Sequence, residues 1–457
     1  MKTVFIKIAI ILFLVLSGTL RAQESLQGYI DEGLANNIVL KQRNIALEKA
    51  MISLKIANSY FSPTVGLLGN YTSGKGGRSI SIPVGDLLNP VYSTLNQLTG
   101  SDKFPQIENV NQNFFPYNFY DARVHTTLPI INTDLIYGRK ISQQQVVLQE
   151  YEADIYKREL IRNIKVAYYN FLSAAEAVRI FESALNRAEE GKRVNESLLE
   201  NGRGLPAYVL RAQSEIESTR AQHAESERLV ENAKLYFNFL LNRNGNAPIL
   251  TDAIANSRVS GIDVAEADTI STQNREELKL LRESIDLNSN LVKMNKLFWV
   301  PKLNGFLDLG SQSIDWKVNP ASRYYLVGVQ LDVPLFAGMR NRNKIRMASL
   351  DLQSTELGYA NNRQQIDLGA QAAKNNLLTS FQNFQSAQKQ QEAAQSYQKL
   401  IEKGYKEGVN TFIEAIDAHN QLTQAQLRVS ISRYRVLSAE AQYERETASY
   451  LLPTTEK

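Results

Sequence analysis

The chain repeats itself, and a repeat constrains architecture before any single motif does. Leu40 and Pro63 stand at the same separation as Leu278 and Pro301, which lie 238 positions further on. Pro129 precedes a proline-free stretch that ends at Gly202, and Pro334 precedes another that ends at Gly408. These second offsets are 205 and 206. One insertion explains the drop, because the interval from Pro63 to Pro129 is twice that from Pro301 to Pro334. Each half therefore reads helix, strand, loop, strand, long helix, turn, helix.

These boundaries divide the chain into a first repeat over 23–243 and a second over 273–450. The first comprises a helix 25–58, strands 61–72 and 117–129 flanking an external loop 73–116, and helices 134–200 and 205–243. The second comprises a helix 273–299, strands 302–311 and 323–334, and helices 338–404 and 410–449. Residues 244–272 connect the halves and are expected to join a belt around the helices, and 451–457 read as an unordered tail.

The strand segments alternate with period two. Asp121, Arg123 and His125 oppose Tyr120, Ala122, Val124 and Leu128. Asn304 and Asp308 oppose Leu303, Leu307 and Leu309, while Gln330 and Asp332 oppose Tyr325, Val327, Val329 and Leu331. Segments of about 9 to 11 residues with one apolar and one polar face suit a membrane barrel with a wet lumen. A soluble sandwich sheet alternates in the same way. Four strands cannot close a useful barrel, and lipid tolerates no open edge, so a membrane reading requires several chains to pool their strands.

The long proline-free stretches, Asp134 to Glu200 and Met339 to Lys403, would each extend near 100 Å at about 1.5 Å per residue. Their apolar anchors are sparse, as in Leu377, Phe381, Phe384, Ala394, Tyr397 and Ile401, spaced near three and four. That pattern suits helices packed side by side in a coiled-coil-like wall with wet surfaces. An elongated cytoskeletal coiled coil is at odds with the interposed strands.

Residues 1–22 read as a secretory signal: Lys2 and Lys7, an apolar run Ile8 to Leu16, then small and polar residues ending at Ala22. The formal charge of +4 includes Lys2, Lys7 and Arg21, so the mature chain carries +1 and gives no argument for nucleic acid. The chain contains no cysteine, which excludes disulfides, thiolate metal sites, a cysteine nucleophile and a lipidation acceptor.

Val333-Pro334-Leu335-Phe336-Ala337-Gly338, at a strand-to-helix junction, and Gly404-Tyr405-Lys406-Glu407-Gly408 followed by Glu414, Asp417 and Ala418, at a helical turn, carry a family resemblance. Leu128-Pro129-Ile130-Ile131 and Gly202 through Ala212 are their degenerate counterparts in the first repeat. With this spacing the chain resembles the outer-membrane efflux protein family, the TolC-like trimeric channel-tunnels, over essentially its whole mature length.

The resemblance implies an α+β membrane protein. Long helices form a periplasmic coiled-coil tube, and four strands per protomer form a 12-stranded trimeric barrel, with two internal repeats in each chain. It implies a homotrimer in outer-membrane lipid that acts as a passive exit duct. A periplasmic adaptor (membrane fusion) protein would engage the tip turns at Gly202, Gly204, Leu205, Pro206, Gly408 and Val409, and an inner-membrane pump would supply the energy. Glu414 and Asp417, three apart on one helix face, would form two acidic rings that select cations and raise one another's pKa values. Tyr405 matches the family's gating network, joined by Asn410, Tyr208 and Arg211. The family's arginine is replaced by Asn410 and its aspartate by Tyr208, so its ionic lock is absent and Arg211 is a substitute pairing candidate. Asp121, Arg123, His125, Asn304, Asp308, Gln330 and Asp332 would face the lumen, and Pro129, Pro334 and Gly338 would mark strand-to-helix junctions. Type I protein secretion is the alternative within the class, and a non-conducting trimeric surface fibre lies outside it.

No enzyme is indicated, and no cofactor. Gly69 to Lys75 fits seven positions of a phosphate-binding loop, but Gly76 stands where a hydroxyl must bind magnesium, and no helix is expected next. His125, His223 and His419 lie on different elements without a second ligand at metal-site spacing. An exported hydrolase lacks a nucleophile elbow.

Overall fold

The computed structural model describes residues 26–115, 117–251 and 272–452. The signal segment, most of the connecting segment and residues 453–457 lie outside them. The chain divides into two compact units. A helical unit holds residues up to 51, 144–288 and from 351 onward, and a sheet unit holds 52–143 and 289–350. The cut points are themselves repeat-related, since 51 corresponds to 288 and 143 to 350 at nearly the offsets that separate the two halves of the sequence.

The helical unit contains α1 (Leu26–Asn36) and parts of α2 (Ile38–Ser59), α4 (Thr133–Glu200), α6 (Glu276–Lys296) and α7 (Arg340–Lys406), which also enter the sheet unit. It also contains α5 (Pro206–Leu240) and α8 (Phe412–Thr447). Its core gathers Tyr29, Ile30, Leu160, Ile164, Phe237, Leu241 and Leu437. Tyr29 and Phe237 meet edge-on with centroids 5.1 Å apart. Of the sparse anchors seen in the sequence, Leu377 and Phe384 enter this core and Phe381 packs against it, and ion pairs link other helices. Arg275 joins Glu277 at 2.7 Å and Glu446 at 2.6 Å, while Arg445 reaches Glu159 and Glu277 at 3.2 and 3.3 Å. These pairs tie the start of α6 and the end of α8 to α4. Tyr450 and Leu452, near and within the segment read as a tail, are placed by contacts: the Arg158 guanidinium donates to the Tyr450 carbonyl at 2.6 Å, and Leu452 packs on the core.

The sheet unit is built on β1 (Thr64–Thr72), β4 (Phe119–Ile131), β5 (Lys302–Ile314) and β6 (Arg323–Asp332), all antiparallel in the order β1-β4-β5-β6. The two repeats thus meet at the β4–β5 pair, and β1 and β6 are edges. β5 runs beyond the apolar alternation, because Ser311, Gln312 and Ser313 still pair with Ala122, Asp121 and Tyr120. Pro129 sits at a register shift near the end of β4, four residues before α4, where a missing N–H is tolerated. Pro334 lies just past the end of β6, and Gly338 takes φ +58° just before α7.

Residues 73–116, read as a loop, hold secondary structure of their own. β2 (Ser79–Ile82) and β3 (Val110–Asn113) form a hairpin enclosing α3 (Val84–Thr99). The helix was hidden in the sequence by Pro83 and Pro90. Pro83 occupies the N-cap, and Pro90 lies within α3.

Candidate functional site

The turns after α4 and α7 close with the same hydrogen bonds. Arg203 N–H donates to the Leu198 carbonyl at 2.8 Å and Gly202 N–H to that of Leu199 at 3.0 Å. Val409 N–H donates to the Gly404 carbonyl at 2.7 Å and Gly408 N–H to that of Tyr405 at 3.1 Å. This is the Schellman arrangement, whose left-handed residue is Gly202 (φ +67°) in one repeat and Gly408 (φ +76°) in the other. Leu205 and Val409 are exposed beside them. The next helices start differently. Pro206 opens α5 with its preset φ, whereas Thr411 caps α8 in a reciprocal box with Glu414.

That box gives Glu414 a local task. Its carboxylate accepts from the Thr411 N–H at 2.6 Å, the Thr411 hydroxyl at 3.0 Å and the Asn410 amide at 3.3 Å. These bonds, the backbone one first, pull the carboxyl below the usual glutamate range. Within one chain the direction is therefore opposite to the rise expected from crowded acids. Asp417, exposed on the next turn, accepts from Gln421 at 2.7 Å.

Of the gate residues, two are brought together. Tyr405 and Tyr208 flank the Phe412 ring at centroid distances of 5.8 and 5.7 Å, over a small core of Ala212 and Ile416. The Tyr405 hydroxyl donates to the Oδ1 of buried Asn195 at 3.2 Å. Asn410 instead serves Glu414, and Arg211 pairs with Glu215 of its own helix at 3.5 Å. Sequence reasoning missed Phe412 and Asn195. The Thr411-x-x-Glu414 spacing was the available signal that a helix starts with Phe412 at its first position.

Above this cluster, α4, α5, α7 and α8 enclose a cavity of about 240 Å³ lined by Arg187, Glu215, Glu402, Phe412 and His419. Arg187 donates to the Thr423 hydroxyl at 3.0 Å. Burial lowers its pKa, and burial followed by the Arg187 charge lowers that of His419. Glu402 is held below the ordinary range by its hydrogen bond from Lys406.

In the sheet, the register settles which residues share a face. His125 pairs with Asp308, Asn304 with Gln330 and Lys302 with Asp332, while Asp121 and Arg123 alternate in step with His125. All seven polar candidates thus lie on one side. There Arg123 bonds Asp121 at 2.5 Å, Tyr324 donates to Asp121 at 2.7 Å, and His125 joins Asp308. The opposite side carries Val65, Leu67, Leu309, Val327, Val329 and Leu331, all exposed. At the strand ends Trp316 stacks on Tyr71 and Tyr120 at 5.5 and 5.4 Å, an aromatic set that the sequence reading did not assign.

Comparison with known proteins agrees with this construction. The chain is 22% identical over 259 residues to "Proteases secretion protein PrtF" of Dickeya chrysanthemi, and it spans about half of that relative's length (55%) and 54% of its own. The crystal structure of the outer membrane protein VceC from Vibrio cholerae superposes with a TM-score of 0.71, at 14% identity, covering 92% of this chain and 95% of that one. The open-state MtrE outer membrane channel of Neisseria gonorrhoeae gives 0.72 at 16% identity, covering 92% and 88%. At such identities the structural likeness establishes the fold. A family model described as "Outer membrane efflux protein" matches residues 29–243 and 270–445, taking in most of both repeats, and the chain belongs to that family.

Proposed function

We propose that this chain is the exit duct of an efflux assembly: a homotrimer whose three four-stranded sheets close one barrel in the outer membrane, with the helices lining a periplasmic passage. The observation that carries this reading is the sheet itself. One face is apolar and exposed, the other is polar and hydrogen-bonded, and both edges, β1 and β6, are unpaired among the described residues. Lipid accepts the apolar face but not the open edges, so neighbouring copies must pair them. Among the described residues no helix is long and apolar enough to cross a membrane.

The duct is passive and not an enzyme. A periplasmic adaptor docks at the exposed turns 202–206 and 408–409, and an inner-membrane pump behind it supplies the energy. Glu414 and Asp417 set the charge of the entrance, and the Tyr208–Phe412–Tyr405 cluster, with Asn410 and Arg211, holds the turns together. A water-filled passage selects by bore and charge, and small molecules are the substrate class this reading assigns to it. Protein secretion is the second reading, favoured by the likeness to a protein named for secretion of proteases.

The test is conductance of the purified full chain in planar bilayers. Steady cation-preferring pores are expected, and Glu414→Gln with Asp417→Asn should lower that preference and weaken block by multivalent cations. Absence of pores overturns the duct. Pores with unaltered selectivity overturn the role given to the acids.

A further inference from the structure

The insertion between β1 and β4 is built inside out. At about 100° per residue, Gly85, Asn89, Tyr92 and Asn96 of α3 lie on one side, and Leu87, Val91 and Leu98 on the opposite one. The side with hydrogen-bonding residues faces the insertion's own return segment. Asn89 donates to the Ile107 carbonyl and accepts from the Ile107 N–H, both at 2.9 Å. Two turns further along, Asn96 repeats the clasp with Phe104, at 2.9 and 3.0 Å. Gly85 allows the approach, since a Cβ there would stand 2.4 Å from the Ile107 carbonyl oxygen. Asp86 and Asn109 close the near end, with the Asn109 amide donating at 2.9 Å. On the outward side Leu87, Val91 and Leu98 are 69%, 51% and 77% exposed. A helix with its amides turned inward and its aliphatic residues outward is shaped for an apolar neighbour.

Lipid and a second copy compete for that place, and charge separates them. Helices that lie on anionic membrane surfaces carry Lys and Arg along their polar border. Residues 79–101 contain neither, and their one charge, Asp86, is bound to Asn109. Around a threefold axis the same residue of each copy approaches its equivalents, so a stripe without charges avoids like-charge repulsion there. The insertion also departs from Thr72, the last residue of edge strand β1, whose free edge is the inter-chain seam in the trimeric reading.

We propose that the Leu87–Val91–Leu98 stripe of α3 packs against the α3 stripes of the neighbouring copies, so that three insertions form a collar. This rests on the trimeric duct reading and goes beyond it by assigning the insertion a partner. The native chain has no cysteine, so a single introduced thiol can be joined only to the same thiol of another copy. Full-length Leu87→Cys, Val91→Cys and Leu98→Cys, confirmed as trimers by native mass spectrometry, are treated with a short bismaleimide beside Gln97→Cys on the helix flank. Covalent dimers several-fold above the Gln97→Cys level are expected. Intact trimers in which the stripe variants link no more than Gln97→Cys overturn the collar. So does a bimane label on Leu98→Cys that brominated lipid quenches, which would give the stripe to the membrane. If no trimers form, the duct reading itself fails, and the collar with it.

Discussion

Glu414 and His419 lie little more than one turn apart on α8, yet their surroundings move their protons for different reasons. Donors at Thr411 and Asn410 stabilise the Glu414 carboxylate, so it stays charged through mild acidification. His419 is half-buried near a fixed cation, and both influences disfavour its imidazolium. Below an unfolded value of 6.5 the unfolded chain takes up a proton that the folded one refuses, so stability is lost as pH falls from that point toward the lowered folded value. The urea midpoint followed by circular dichroism is therefore expected to fall between about pH 7.5 and about pH 5.5, and His419→Gln to flatten that dependence. An unchanged slope would place the sensitivity elsewhere. The sequence located both residues on a helix after the turn, because a glycine stop and acids at helical spacing are local signals. It could not reveal that Glu414 is a cap partner unless Thr411 was read with it, nor that Arg187, 232 positions away in the chain, approaches His419.

The two turns hold glycines confined for different reasons. Gly408 has open space around its missing side chain but a φ of +76°, so Gly408→Ala should cost about 1 kcal/mol through the backbone alone. At Gly204 a Cβ would stand 2.5 Å from the Leu199 amide nitrogen, which forces backbone to move. Gly204→Ala is expected to cost more than Gly408→Ala, in a comparison of urea midpoints. Equal costs would mean that the first turn relaxes freely. Turns and long helices were legible because glycine and proline punctuate locally. The helix of the insertion was not, since two prolines and a run of Gly, Ser and Asn read as a loop, while the Asn89 and Asn96 clasps that organise it bridge 18 and 8 positions.

Across the whole molecule the proposed duct depends on the apolar face of the sheet meeting lipid. Val327 and Gln330 lie on opposite faces of β6. Val327→Arg should cost about 2–4 kcal/mol if it lies near the bilayer midplane, reducing the SDS-resistant trimer on unheated gels. Gln330→Arg should assemble normally and shift ion selectivity. If both variants assemble alike, the apolar face does not meet hydrocarbon. The alternation was visible in the sequence, but alternation is shared with soluble sheets, and it could not show that Val65, Leu67, Val327 and Val329 stay exposed rather than covered by a second layer.

The unequal length of the repeats also has a consequence for symmetry. Each chain carries a repeat-related pair of Schellman turns, at Gly202 and Gly408, but α3 has no counterpart in the second repeat among the described residues. A ring of three chains would then present six quasi-equivalent turns and three insertions. A hexameric docking protein could match the former site for site, whereas any molecule meeting the latter finds half as many places to hold.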